Sequence, residues 1–135
     1  MVDSIPMAQI QTSLDRERDL TILTLTGPVA AADVVGALRD FYAGPCTAKA
    51  LWDFTGSDMH AAKMTDLAAV LAAAKTLAPR RAGGKTALVV PSDLGFGMAR
   101  MYESMAELKN HPVGHGVFRN REDALHWLAA PVEPD

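Results

Sequence analysis

The sequence predicts an α/β domain built on a mixed, mostly parallel sheet, in the order β-β-α-β-α-β-α-β-α. After the first two apolar segments with strand-like alternation, further strand-like segments are separated by segments with helical spacing. Strands that alternate with helices pair in parallel through right-handed crossovers. The first two segments are joined by a short charged stretch instead, so we expect them to form an antiparallel hairpin, which makes the sheet mixed.

The hairpin is the first predicted element, with strands over residues 7–14 and 20–25. In the first strand Ile10 and Leu14 share one face in a weak alternation, and the second strand alternates throughout. The charged residues 15–19 between them suit a turn, because charged residues are depleted in strands.

A helix and a buried strand follow the hairpin. Residues 30–43 place Val34, Leu38 and Phe41 on one helical stripe, and the Gly-Pro pair after them ends the helix. Residues 50–54 read A-L-W-D-F, a short apolar run that is typical of a buried strand.

The second half of the chain repeats this alternation. The predicted elements are a helix over residues 65–78, a strand over 86–90, a helix over 94–108, a strand over 115–118 and a last helix after Asn120. Thr65 suits the N-cap of the first of these helices and Asn120 that of the last, because their side-chain oxygens can accept backbone N–H groups. Pro79 stops the first helix.

Composition favours a single globular domain with few special features. The chain has 135 residues, 49% of them hydrophobic and 21% charged, and we expect one domain with an ordered core over about residues 7–130. The net charge of −3 argues against nucleic-acid binding, which requires a basic face. Arg80 and Arg81 fit a solvated helix end. Cys46 is the single cysteine, so no intramolecular disulfide is expected.

We expect a cytoplasmic protein, at most peripheral at a membrane, with no cofactor and no metal site. The sequence has no basic-then-apolar leader and no apolar run of about 20 residues. The run G-K-T at 84–86 resembles the end of a phosphate-binding loop, but it precedes a strand instead of opening a helix. His111 and His115 are separated by loop residues, so they are not expected to form a helical metal-ligand pair.

Four segments carry a family resemblance. They cover residues 20–27, 51–56, 91–103 and 117–128, and the last two read P-S-D-L-G-F-G-M-A-R-M-Y-E and V-F-R-N-R-E-D-A-L-H-W-L. These segments resemble the SpoIIAA-like branch of the STAS superfamily, named for sulfate transporters and anti-sigma-factor antagonists. The resemblance implies a four- or five-stranded mixed sheet with helices on both faces. It implies little chemistry, because a fold does not fix a function.

The resemblance also points to candidate modification sites. Anti-sigma-factor antagonists of this superfamily carry a phosphorylatable serine in an Asp-Ser-Ser-Gly-like loop after a central strand. Residues 53–58, D-F-T-G-S-D, occupy the corresponding place and depart from that motif. Thr55 and Ser57 are the candidate phospho-acceptors.

Asp53 and Asp93 each follow a predicted strand, at the carboxyl ends where open α/β sheets bind ligands. Two carboxylates in one crevice could hold a cation or share a proton, which gives a weak enzymatic hypothesis because no base or nucleophile accompanies them. A structural interpretation fits better. In it, Ser92 or Asp93 caps the next helix, and Asp53 orders its turn.

The helix over residues 94–108 provides the main functional hypothesis. Its apolar stripe consists of Leu94, Met98, Met101, Met105 and Leu108, with Tyr102 adjacent. The simplest interpretation is that this stripe is core. Methionines also form adaptable surfaces, and Gly95 and Gly97 weaken the first turn, so the helix could move over an apolar cleft or offer Phe96 to a partner or a membrane.

We therefore expect a non-enzymatic domain that binds an apolar small molecule or lipid beside this helix, with peripheral membrane contact as one form of the hypothesis. The candidate ligand-binding residues are Trp52, Phe96, Met98, Met101, Tyr102 and Met105. The alternative is a regulatory protein-interaction domain of the anti-sigma-factor-antagonist type, switched by phosphorylation at Thr55 or Ser57. A homodimer through Phe96 or the hairpin edge is a further open alternative.

Overall fold

The computed structural model describes residues 8–58 and 64–131, which form a five-stranded sheet with helices packed on it. The strands are β1 (Gln9–Asp15), β2 (Leu20–Pro28), β3 (Lys49–Asp58), β4 (Lys85–Val89) and β5 (Gly114–Phe118). The helices are α1 (Ala31–Ala43), α2 (Met64–Leu77), α3 (Asp93–Leu108) and α4 (Arg121–Ala129), and a 3₁₀ turn, Ala78–Arg81, follows α2. Within these ranges, no helix is long and apolar enough to span a membrane.

The strands lie in the sheet in the order in which they occur in the chain. β1 pairs with β2 in antiparallel orientation, with Ile10 opposite Leu25, and each later pair is parallel. The hairpin turn includes Asp19, whose φ of 51° lies in the left-handed region that aspartate tolerates. The predicted order of elements and the mixed, mostly parallel sheet are confirmed.

Alternate residues of the central strands divide the sheet into two apolar faces. Leu23 and Trp52 belong to the first face, which α1, α2 and α3 cover. Leu51 and Val89 belong to the second face, which packs against Leu128 of α4. In the described residues, helices therefore lie on both faces, three on the first and one on the second, as the family resemblance implies.

β3 is longer than the sequence predicts. The sequence predicts a strand over residues 50–54 that is followed by a loop, but β3 runs from Lys49 to Asp58. β2 continues beside it, and Thr26 pairs with Gly56 after an irregularity between Thr24 and Thr26. This bulge keeps a segment of Gly, Ser and Asp residues paired, although these residue types are depleted in strands.

Two of the predicted helix caps are confirmed and one is wrong. The Gly95 N–H donates to Oγ of Ser92 at 3.1 Å, which starts α3. The Asp123 N–H donates to Oδ1 of Asn120 at 2.8 Å, which starts α4. Thr65 is the second residue of α2 and not its N-cap, because the helix extends further toward the N-terminus than the capping pattern predicts.

α3 buries only part of the predicted methionine stripe. Its buried residues are Gly95, Met98, Ala99, Tyr102 and Ala106, whereas Leu94, Met101 and Leu108 are 55%, 41% and 82% exposed. Residues seven apart fall on nearly the same side of a helix, so these three share one exposed edge. The small side chains of Ala99 and Ala106 let the helix approach its neighbours closely, so burial follows the alanines instead of the largest apolar residues.

Two glycines with opposite surroundings provide a test of this backbone. A Cβ at Gly97 of α3 would meet nothing within 4 Å. Gly97→Ala is therefore expected to raise the free energy of unfolding by about 0.5–1 kcal/mol through helix propensity. A Cβ at Gly84 would lie 2.2 Å from the Ala48 carbonyl oxygen, so Gly84→Ala is expected to destabilise the fold. Urea unfolding of both variants measures these changes, and a neutral Gly84→Ala would contradict the close approach at Ala48.

Candidate functional site

A cavity of about 110 Å³ lies between the first face of the sheet and α1, α2 and α3. Its apolar wall includes Val34, Leu38, Trp52, Phe54, Leu67, Val70, Ala74, Leu88, Val90, Met98 and Ala99. Trp52 and Phe54 are two residues apart on β3, so both face the cavity, and their ring centroids are 6.5 Å apart. Because most of these side chains also belong to the main apolar cluster, the cavity is part of the core.

Polar side chains line one end of this cavity. They are Tyr42, Arg81, Thr86, Tyr102, His111 and His115. Thr86 and His115 are each the second residue of their parallel strand, so this is the end of the cavity nearest the amino ends of β4 and β5. Asp66, in the first turn of α2, also lines the cavity, whereas Arg81 follows the last turn of that helix. The cavity is therefore apolar along its walls and polar at this end, which we call the polar end.

Arg81 is the buried centre of the polar end. The residue is 6% exposed, and its N–H groups donate to the backbone oxygens of Thr47, Ala48 and Lys85 at 2.7, 3.0 and 2.9 Å and to the hydroxyls of Thr86 and Tyr42 at 3.0 and 3.3 Å. The guanidinium also lies over the Phe41 ring, 5.0 Å from its centroid. Among the described residues no carboxylate forms an ion pair with Arg81. Its charge is thus hydrogen-bonded but not neutralised.

The prediction that Arg80 and Arg81 form a solvated helix end is wrong for Arg81. Arg80 is exposed and donates to the backbone oxygen of Tyr42. The 3₁₀ turn directs Arg81 to the amino ends of β3 and β4, where the carbonyl groups of Ala48 and Lys85 need donors. A guanidinium has five N–H groups, so it can satisfy several such acceptors at once.

His111 and His115 lie side by side, although they are separated by a loop in the sequence. Their ring centroids are 4.7 Å apart and their planes meet at 89°. The Val113 N–H donates to Nδ1 of His111 at 3.1 Å, and Nδ1 of His115 lies 3.0 Å from the Val113 carbonyl oxygen. The neutral His111 ring therefore carries its proton on Nε2, and the neutral His115 ring carries its proton on Nδ1.

Burial lowers the pKa of both histidines. For His115 burial is the largest cause, the neighbouring His111 adds to it, and the pKa falls to about 4. Burial also lowers the pKa of His111, and the nearby charge of Arg81 adds to the effect. Both rings are therefore neutral near pH 7. Nε2 of His111 is then a buried N–H donor, and it has no hydrogen-bond partner in the described part of the chain.

The predicted ligand residues fall into two groups. Trp52, Met98 and Tyr102 line the cavity, and Phe96, Met101 and Met105 lie outside it. Phe96 lies beneath Arg119, whose guanidinium carbon is 4.1 Å from the ring centroid. Met105 packs against a small cluster that contains Tyr102. The cavity therefore lies beneath the buried face of α3 and between α1 and α2, away from the exposed edge formed by Leu94, Met101 and Leu108.

The polar end of the cavity has no local sequence signal. Tyr42, Arg81, Thr86 and His111 come from four separate segments, and only the packing of α1, α2 and the sheet brings them together. The one sequence signal for the polar end is the presence of Thr86 and His115 in predicted buried strands, because buried polar side chains need hydrogen-bond partners.

Asp53 and Asp93 form two separate ion pairs. Oδ2 of Asp53 lies 2.7 Å from Arg121 of α4, and Oδ1 of Asp93 lies 2.8 Å from Arg119. Asp53 is buried within β3, whereas the Asp93 side chain is almost fully exposed. Each carboxylate therefore pairs with its own arginine. Across residues 8–58 and 64–131, no group of three or more His, Cys, Asp and Glu side chains could hold a metal ion.

Thr55 and Ser57 lie on the last part of β3, and both hydroxyls are hydrogen-bonded. The Thr55 hydroxyl and N–H donate to Oδ1 of Asp53 at 2.5 and 2.9 Å. Burial opposes the ionisation of Asp53, but these hydrogen bonds and the pair with Arg121 outweigh it and hold the pKa of the carboxyl below its usual value. The Ser57 hydroxyl donates to the Leu25 backbone oxygen at 2.8 Å. Thr55 is exposed and Ser57 is half-buried.

Several solved structures resemble this fold. An uncharacterised DUF3478-family protein with a SpoIIAA-like fold, from Shewanella loihica PV-4, matches with a TM-score of 0.61 and 16% identity, over 96% of this chain and 99% of that chain. An anti-sigma factor antagonist from Mycobacterium paratuberculosis matches with a TM-score of 0.58 and 12% identity, over 92% and 96%. The phosphorylated form of the Bacillus cell fate determinant SpoIIAA matches with a TM-score of 0.50 and 16% identity, over 88% and 98%.

At these identities the solved structures establish the fold, which is SpoIIAA-like, as the sequence resemblance implies. No protein-family model matches the chain, and no curated protein matches it. A shared fold does not determine function, so the function follows from the chemistry of the site.

The lowered pKa of His115 predicts that the fold weakens in mild acid. Between about pH 6.5 and pH 4 the unfolded chain binds a proton on this ring that the folded chain does not bind. The free energy of unfolding therefore decreases as the pH falls through this window. The contribution of His115 is at most about 3 kcal/mol, and it is fully present above about pH 6.5.

Urea unfolding at a series of pH values measures this effect. His115→Phe keeps an aromatic ring beside Tyr102, and we expect it to lose less stability than the wild type across the same window. His126→Phe removes an exposed histidine of α4 and should follow the wild type. If the free energy of unfolding depends on pH equally in His115→Phe and the wild type, the lowered pKa of His115 is not the cause of the acid sensitivity.

Proposed function

We propose that this domain binds a small apolar molecule in the cavity beneath α1, α2 and α3. The observation that supports this most strongly is the cavity itself, because a close-packed core has few voids larger than a water molecule. Side chains leave about 110 Å³ unfilled here. The wall residues Val34, Leu67 and Val70 are only half-buried, so the space can be reached from solvent, as a ligand site requires.

The lining of the cavity supports the same proposal. Its walls are aliphatic and aromatic, and a few polar groups converge at one end, an arrangement typical of small-molecule sites. Trp52 and Phe54 supply aromatic surface from the sheet, and Met98 supplies an adaptable thioether from α3. An apolar ring or a short branched chain would find contacts on both sides.

The size of the cavity favours a small molecule over a whole lipid. It is somewhat smaller than an engineered apolar cavity of ~150 Å³ that binds benzene, and a long acyl chain would extend well beyond it. Peripheral membrane contact has less support. Leu94, Met101 and Leu108 are exposed on α3, but Arg100 and Glu107 are exposed on the same helix, which lacks a lysine-rich polar face.

Toluene is a suitable probe for this site. In an NMR titration of the whole chain, we expect chemical-shift changes in the residues that line the cavity. Ala74→Leu fills the cavity from α2 and is expected to weaken toluene binding by at least about tenfold. Ala72→Leu, on the exposed side of the same helix, should leave binding within about twofold of the wild type. Shift changes scattered over the surface, or unchanged binding by Ala74→Leu, would refute the proposal.

The second candidate function is regulation through a protein partner. Two of the solved structures with this fold are an anti-sigma factor antagonist and the phosphorylated form of SpoIIAA, which supports a regulatory role for this chain. Thr55 is exposed at the bulge of β3 and its hydroxyl bonds to Asp53. A phosphoryl group on Thr55 would break that hydrogen bond and place roughly −2 charge beside a carboxylate, so it would compete with Asp53 for Arg121.

Intact-mass measurement of the protein purified from the organism that encodes it tests this candidate. We expect a fraction of the protein to carry one added phosphoryl group, and this fraction should disappear in Thr55→Ala if Thr55 is the acceptor, or in Ser57→Ala if Ser57 is. Thr76→Ala removes an exposed hydroxyl of α2 and serves as the control. An unmodified mass under all growth conditions would exclude the phosphorylation switch.

A further inference from the structure

We infer that the ligand of the cavity is a small apolar monocarboxylate whose carboxylate binds at the polar end, beside Tyr42, Arg81, Thr86 and His111. This inference rests on the proposed function and specifies the chemical class of its ligand. Two independent observations support it. One is a buried donor and the other is a buried cation, and neither has a partner or counter-ion among the described residues; both line the same end of the same cavity.

The donor is Nε2 of His111. Because Nδ1 of this ring accepts the Val113 N–H, the proton of the neutral ring lies on Nε2. That atom is buried and has no hydrogen-bond partner within residues 8–58 and 64–131. Buried donors without partners are rare and destabilising in folded proteins, and a ligand oxygen would satisfy this one.

Two hydroxyls can donate beside it. The hydroxyls of Thr86 and Tyr42 accept N–H groups of Arg81 at 3.0 and 3.3 Å. A hydroxyl that accepts a hydrogen bond keeps its own proton to donate, and a positively charged donor polarises it in that direction. Both residues line the cavity with His111. Three donor groups therefore belong to residues that line the polar end.

The charge of Arg81 favours an anionic acceptor. Its guanidinium is buried and its N–H groups donate to neutral oxygens, so its hydrogen bonds are satisfied while no described carboxylate neutralises its charge. In a medium of low polarity an unneutralised cation attracts an anion strongly. An anion that accepts hydrogen bonds from the hydroxyls of Thr86 and Tyr42 would be separated from the guanidinium only by these two hydroxyls.

The position of Arg81 at one end of the cavity orients the ligand. Asp66 is in the first turn of α2 and Arg81 follows its last turn, and α2 has 14 residues, or about 21 Å. A carboxylate would be attracted to the Arg81 side, and the apolar walls would contact the rest of the ligand. A ligand with an ammonium group in place of the carboxylate would be repelled by Arg81 at the polar end.

A single negative charge matches the polar end better than two. Among the described residues that line the cavity, Arg81 is the only lysine or arginine, so one anionic charge neutralises it. A phosphate dianion would bring a second charge into an apolar core without a partner, which is strongly unfavourable. A carboxylate has two oxygens that can share the three donors.

Four probes with the same ring distinguish these possibilities: benzoate, benzamide, toluene and benzylamine, titrated by calorimetry and NMR near pH 7. We expect benzoate to bind at least about tenfold more tightly than toluene, benzamide to lie between them, and benzylamine to bind most weakly. His111→Phe and Tyr42→Phe keep a ring and remove a donor. Each should weaken benzoate about tenfold and change toluene by less than about twofold. His126→Phe is the control and should leave all four affinities unchanged.

The outcomes separate this inference from the proposed function. If toluene binds in the cavity as tightly as benzoate, the inference is overturned and the proposed function stands. If benzoate binds with wild-type affinity to both His111→Phe and Tyr42→Phe, the carboxylate is not at the polar end and the inference is also overturned. If no probe binds in the cavity, the proposed function and the inference both fail.

Discussion

The buried guanidinium of Arg81 is the interaction on which the first face of the domain depends. It connects the chain just before β3, the start of β4 and the end of α1, through Ala48, Lys85 and Tyr42. Removing it would leave several backbone oxygens without donors, each at a cost of about 1–3 kcal/mol. An aliphatic side chain could fill the same space but could not satisfy these acceptors. The amino end of the sheet is therefore closed by polar contacts, and these contacts form the polar end of the cavity.

A second arginine has the corresponding role on the other face. Arg121 of α4 pairs with Asp53 and so fastens the single helix of that face to the carboxyl end of β3. In the described part of the chain the first face has three helices, and the cavity lies between them and the sheet, with Ala74 of α2 and Ala99 of α3 in its lining.

Periodicity and capping were sufficient to predict the fold, but the site depends on contacts between distant segments. Ser92 was predictable as a helix cap because its partner is three residues away. The inward face of α3 was not, because close approach of the helix favoured Ala99 and Ala106 over larger apolar residues. Arg81 was misassigned because a charged residue at a helix end is usually solvated, and nothing local indicates the carbonyl groups that it meets.

The two candidate functions involve opposite faces of the same strand. Phe54 lines the cavity on the first face, while its neighbour Asp53 pairs with Arg121 on the second. Successive residues of a strand point to opposite sides, so a ligand against Phe54 and a phosphoryl group on Thr55 would act on one short piece of backbone. The bulge in that piece is where β3 departs from regular pairing with β2. Ligand binding and regulation are therefore compatible in this fold, and each requires residues that the other does not use.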